Sequence, residues 1–207
     1  MGRASPRTRA INARESFASV AECLGPVGKD ASIFAVTRGQ WSMIDAILHV
    51  IDCCKGQVTV SLWTWTVAEY EVSVLTRLRG DKRIKDATLI IDHGARNKNA
   101  KVIADWKAVY GPSSVRYVIN HAKIATVEDE SGLRFLLRGS MNLNFNPRFE
   151  QFDLTEGGDD FDLVREIEQE LPDLNDRCSN AEVYKGSRVG TDLAGLPMFG
   201  NLKRWAK

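Results

Sequence analysis

Between residues 31 and 171 the chain alternates short β-branched or aromatic runs with segments of helical period, and that alternation restricts it to an α/β fold. SIFAVT (32–37), QVTVSLWTWT (57–66), DATLIIDHG (86–94), SVRYVINHAKIATV (114–127), GLRFLLRGSMN (132–142) and EQFDLTEG (150–157) read as strands. ARESFASVAECLG (13–25), QWSMIDAILHVIDCC (40–54), AEYEVSVLTRLRG (68–80), NAKVIADWKAVYG (99–111) and DDFDLVREIEQEL (159–171) read as helices. The near-continuous apolar run of 86–94 suits a strand covered on both faces. The intervening helices allow parallel pairing, whereas 114–127 and 132–142 form an antiparallel hairpin, so the sheet is mixed.

The 207 residues suffice for one well-buried domain. The sequence divides into a basic arm with a helix (1–30), the α/β body (31–171) and a tail (172–207) that loses periodicity. Composition is that of a globular protein, 43% hydrophobic and 27% charged, with a net charge of +1. The charge is uneven: residues 1–14 carry Arg3, Arg7, Arg9 and Arg14 and no acid, an arm suited to phosphates. No apolar run is long enough to span a membrane, and no apolar stretch follows the basic N-terminus as in a secretory signal. Cys23, Cys53, Cys54 and Cys178 match no zinc-ligand spacing, and the adjacent pair lies in an apolar helical run, which predicts reduced thiols and a cytoplasmic location.

The hairpin carries the chemistry. With residues 129–132 as a four-residue loop, Glu128 faces Leu133, His121 faces Ser140, and Lys123 faces Arg138. This register gathers His121, Lys123, Arg138, Ser140 and, diagonally, Asn142 on one face. The other face takes Val118, Ala122, Ile124, Leu133, Phe135, Leu137 and Met141. An imidazole, a cation and oriented donors at one point suit the charge that builds up on a phosphodiester during displacement at phosphorus. The constellation requires no metal and no other cofactor.

His121-Ala122-Lys123, an acid at Glu128, and Gly139-Ser140-Met141-Asn142 resemble the signature of the phospholipase D superfamily. Glu150 matches that family's further Glu at the start of the next strand. The likeness is specific over about 118–153, and the preceding strand and helix order is compatible with that family's half-domain, a mixed sheet flanked by helices on both faces. It implies His121 as nucleophile or acid, Lys123 as phosphate clamp, Ser140 and Asn142 as donors to the phosphate or orienters of the histidine, and Glu150 holding the partner histidine's tautomer. Two departures stand out: the family acid is usually Asp, with Asp129 beside Glu128 here, and ten residues (129–138) separate Glu128 from Gly139, a longer spacing than usual. Glu128 is expected to support the site, and Arg138 to add a second cation.

That family pairs two His-x-Lys motifs about one phosphate, and this sequence has one. His49, in an apolar helix, and His93, at a strand end, lack the same company and read as structural; His93 is placed near the cleft. A homodimer sharing one site is therefore expected. Single-motif members resemble nucleases, which makes DNA, or RNA, the expected partner and excludes a membrane; the expected intermediate is a phosphohistidine. Two readings stay open beside the endonuclease: a catalytically weak nucleic-acid-binding module of the same fold, and a lipid phosphodiesterase.

Overall fold

The computed structural model describes residues 19–145, 147–171 and 174, and the backbone of residues 12–16. In chain order the elements are β1 (Asn12–Ser16), α1 (Val20–Leu24), β2 (Ser32–Thr37), α2 (Met43–Cys53), β3 (Val58–Thr64), α3 (Glu69–Gly80), β4 (Ile84–Asp92), α4 (Ala100–Tyr110), β5 (Val115–Val118), β6 (Ile124–Asp129), β7 (Arg134–Gly139), β8 (Glu150–Glu156) and α5 (Asp159–Glu170). The strands form one eight-stranded sheet in the order β1-β2-β8-β7-β6-β3-β4-β5. Pairing is parallel for β1–β2, β3–β4 and β4–β5 and antiparallel elsewhere, so the expected mixed sheet is present.

The two faces follow from the two periods. On β3, Val58, Val60 and Leu62 point into the main core, where they join Ile44, Ile47 and Ile51 of α2, Leu75 of α3 and Trp106 of α4. The alternate residues Ser61 and Trp63 face α5, where both donate to the buried carboxylate of Glu168, Trp63 Nε1 at 2.7 Å. Leu136, Ile124, Phe161 and Val164 pack beside them. Helices therefore cover both faces, with α5 alone on the second among the described residues.

Three expectations change. Residues 13–25 are not one helix: β1 pairs with β2, with Arg14 opposite Ala35, and the helix starts only where Ser19 and Glu22 form a capping box. Residues 114–127 are not one strand. β5 ends at Val118 beside β4, β6 begins at Ile124 beside β3, and the chain between them crosses the ends of β3 and β4. Asn120 breaks the ladder through local bonds, its Nδ2 donating to Ala122 O at 3.2 Å and its Oδ1 accepting from Ala122 N at 2.9 Å.

The hairpin register is also one residue different from the four-residue-loop reading. Ile124 pairs with Arg138 and Glu128 with Arg134, while Asp129 N donates to Leu133 O at 3.0 Å, leaving a three-residue loop with Gly132 at φ +88°. Asp129 causes this, because its carboxylate accepts from the amides of Ser131 and Leu133 and so draws Leu133 into the ladder. A shift of one exchanges the faces of one strand against the other. Arg138 keeps the face opposite Phe135 and Leu137, which is the α5 side, where it pairs with Asp153 and Asp160, but its neighbour on β6 is now Ile124 in place of Lys123.

Gly139 closes β7 where β8 comes nearest. A Cβ there would lie 2.5 Å from Gln151 O, a backbone atom that cannot swing aside. Gly139→Ala should therefore cost about 1–3 kcal/mol through displaced backbone. Urea unfolding measures this; an unchanged midpoint would contradict the close approach.

Candidate active site

The C-terminal ends of β2, β3, β4, β5 and β7 and the N-terminal ends of β6 and β8 all meet at one edge of the sheet. The crossing segment 119–123 runs along that edge and carries His121 and Lys123. Three buried polar side chains fix it. Asp92, 2% exposed at the end of β4, accepts from Asn120 N at 3.0 Å. Asn120 Nδ2 donates to Thr64 O at 3.1 Å. Thr64, fully buried at the end of β3, accepts from Leu143 N on its hydroxyl at 3.2 Å. Thr64 thus joins the segment bearing His121 to the loop bearing Ser140 and Asn142. Ala68 N donates to Leu143 O at 2.9 Å and reinforces the join.

His121 is exposed, its ring tilted against Trp65 with centroids 6.0 Å apart. Lys123 is buried; its Nζ donates to His121 O at 2.7 Å and lies 3.0 Å from Nδ1 and 3.3 Å from Nε2 of the same residue. Burial holds the Lys123 amine below its ordinary range, and the negative charge of Glu150 counteracts part of that shift. Glu150, half-buried at the start of β8, accepts from Ser140 Oγ, which in turn accepts from Gln151 N at 3.1 Å. His121 and Lys123 form one contacting pair and Ser140 and Glu150 another, and the charge of Glu150 acts on the Lys123 amine. Asn142 lies in the same loop, half-buried, its Oδ1 without a hydrogen-bond partner.

The remaining expected residues fall elsewhere. Arg138 is turned to α5, as described, and does not join the cluster. Glu128 sits toward the far end of β6, where its neighbours across the sheet are Thr59 and Arg134. The buried acid is Asp129, which binds Lys55 N at 3.0 Å as well as the turn. Burial pushes its carboxyl up, but the Ser131 hydroxyl and the amides of Lys55, Leu133 and Ser131 outweigh that and leave it below the ordinary aspartate value. Arg3, Arg7 and Arg9 and nearly all of the 172–207 tail lie outside the described residues, and Arg14 is placed only by its backbone in β1. His49 binds Gly25 O at 2.6 Å, and His93 is fully buried edge-on to Tyr117; neither reaches the surface beside His121.

Asp92, Asn120 and Thr64 escaped the sequence reading. Asp92 left one signal, a charged residue closing a strand apolar on both faces. Thr64 left none, because its role depends on which strand ends meet.

The mixed α/β sheet places His-x-Lys and Gly-Ser-x-Asn side by side at one edge. Solved structures similar to this one include polyphosphate kinase from Porphyromonas gingivalis, with a TM-score of 0.49 and 15% identity over 67% of this chain and 25% of that one. Another is the phospholipase D family member Nuc from Salmonella typhimurium, with a TM-score of 0.45 and 16% identity over 68% of this chain and 91% of Nuc. Yeast tyrosyl-DNA phosphodiesterase is similar at a TM-score of 0.36 and 14% identity, over 62% of this chain and 32% of that one. No family model and no curated protein matches the chain in sequence. No helix among the described residues is long and apolar enough to cross a membrane.

Proposed function

We propose that the chain is a metal-independent phosphodiesterase that cleaves DNA through a phosphohistidine at a site shared by two copies. The observation that carries this reading is the exposed His121 imidazole with the Lys123 amine held against it by the backbone of the same segment. A ring nitrogen of His121 attacks phosphorus and forms a P–N bond as the P–O bond to the leaving strand breaks. His121 of the partner subunit gives its proton to the departing oxygen. It then takes a proton from water, which displaces the first histidine and restores both rings. Lys123, with donors from Ser140 and Asn142, stabilises the charge on the phosphoryl oxygens. Glu150 holds the partner subunit's imidazole in the tautomer the step needs. Glu128 and Arg138 keep only supporting places in the fold, and the basic arm with Arg3, Arg7, Arg9 and Arg14 supplies phosphate contacts without sequence reading.

The test is turnover of bis-p-nitrophenyl phosphate and of plasmid DNA with excess EDTA, with the adduct mapped by mass spectrometry. Chelator-resistant cleavage and a phosphoryl group on His121 are expected. Loss of cleavage on chelation contradicts the mechanism. Salt-dependent DNA binding without hydrolysis selects the binding module, and turnover confined to lipid vesicles selects the lipid phosphodiesterase.

A further inference from the structure

Five aromatic residues among the described ones are exposed, and three of them stand on the loops that carry or adjoin the candidate residues: Trp65 at 45%, Phe145 at 62% and Phe149 at 67%. Trp65 follows β3 and touches His121, while Phe145 and Phe149 lie on the loop between Asn142 and Glu150. Each stands on a strand-end loop whose neighbouring residues are polar, so none is the overflow of a core. Cations are interleaved with them. The Arg38 guanidinium lies over the Phe149 ring, 5.0 Å from its centroid, and Arg148 is exposed beside it. Rings alternating with positive charge suit a strand that presents phosphates and open base faces together. Duplex bases are already stacked on one another and offer no face to such rings; unpaired bases do.

We infer that Trp65, Phe145 and Phe149 form a stacking platform for unpaired bases, so that the substrate bound at this site is single-stranded DNA. The inference rests on the DNA reading of the site above and names the form of DNA taken. Arg38 serves twice, as a stacked plane extending Phe149 and as a phosphate contact. The strand passes over the platform and delivers one phosphodiester to His121 and Lys123.

The experiment uses the full chain carrying His121→Ala, so that cleavage does not intrude on binding. Fluorescence anisotropy compares a labelled oligodeoxythymidine, an abasic strand of equal length and a duplex. The oligodeoxythymidine should bind most tightly. Phe145→Ala, Phe149→Ala and Trp65→Ala should each weaken it about tenfold. The same changes should leave the abasic strand within about twofold, since its phosphates are untouched. Phe149→Leu keeps apolar bulk without a ring and should lose most of what Phe149→Ala loses. The rings are exposed, so these variants should fold, and circular dichroism verifies it. Equal losses on the abasic strand, or duplex binding as tight as that of the single strand, overturn the inference. So does dissociation of a dimer on sedimentation, which would assign the rings to contact between copies. Cleavage by the unaltered chain is scored separately: a chain that binds single strands by stacking but cuts nothing refutes the proposed activity and leaves this inference standing.

Discussion

Replacing His121 by alanine should abolish turnover of bis-p-nitrophenyl phosphate, with kcat falling on the order of 10⁴-fold or more, because neither of the chain's other two imidazoles can take its place. His93 is fully buried and His49 is engaged with Gly25, so neither imidazole can substitute. Stability should stay within about 0.5 kcal/mol of the original, since His121 is exposed and its principal packing partner is the rim residue Trp65. Urea unfolding checks that point and separates a lost nucleophile from a lost fold. The variant also tests whether the site is shared. Mixed in equal amounts with the original chain and re-equilibrated, independent sites would retain about half of the activity per total chain. A site needing one histidine from each copy retains about a quarter, because only dimers of two original chains are competent. Retention of half would remove the second copy from the mechanism.

Much of this architecture is written in local pattern. β2, β3, β4, β8 and the helices α2 to α5 stand within a few residues of where periodicity, Gly stops and acidic first turns place them, because each buries a stripe or face set by its own spacing. The grouping of His121, Lys123, Ser140 and Glu150 was legible as motif spacing. Its geometry was not. Read alone, 114–127 is a good strand, and only the buried Asp92 and Thr64 at neighbouring strand ends make the Asn120 break worth forming. The register turned on whether one carboxylate joins the loop or the ladder. Asp129 captures the amides of Ser131 and Leu133, and that local bond decides that Arg138 faces Ile124 and not Lys123. An arginine read as a second catalytic cation is thereby paired with Asp153 and Asp160 against α5. Alternation assigns faces only once the turn is known, and the turn here depends on a side chain's choice of partner.

Replacing Lys123 by methionine should lower kcat by about 10²–10³-fold, the loss typical of one preorganised group facing a transition-state charge. The side chain is 8% exposed, and methionine keeps its length and apolar stem, so the surroundings need not rearrange. The pH dependence distinguishes a charged clamp from mere bulk. Burial lowers the Lys123 amine below its ordinary value of 10.5, so the alkaline fall in kcat/KM of the original chain should begin below the usual lysine range. Glu150 partly offsets that lowering, so Glu150→Gln should move the fall to still lower pH in whatever activity remains. The same shift has a sign in stability. An amine whose folded pKa is depressed holds fewer protons folded than unfolded between that pKa and 10.5, so the original chain should gain stability as pH rises through the interval. Lys123→Met lacks the titrating group and should lose that rise, with a stability at neutral pH no lower than the original's, because a penalised charge has been removed from a buried position. Urea midpoints measured across the alkaline range test this directly. If Lys123→Met unfolds at lower urea than the original chain at neutral pH, the amine is chiefly a structural tie to His121 O, and the electrostatic role assigned to it fails.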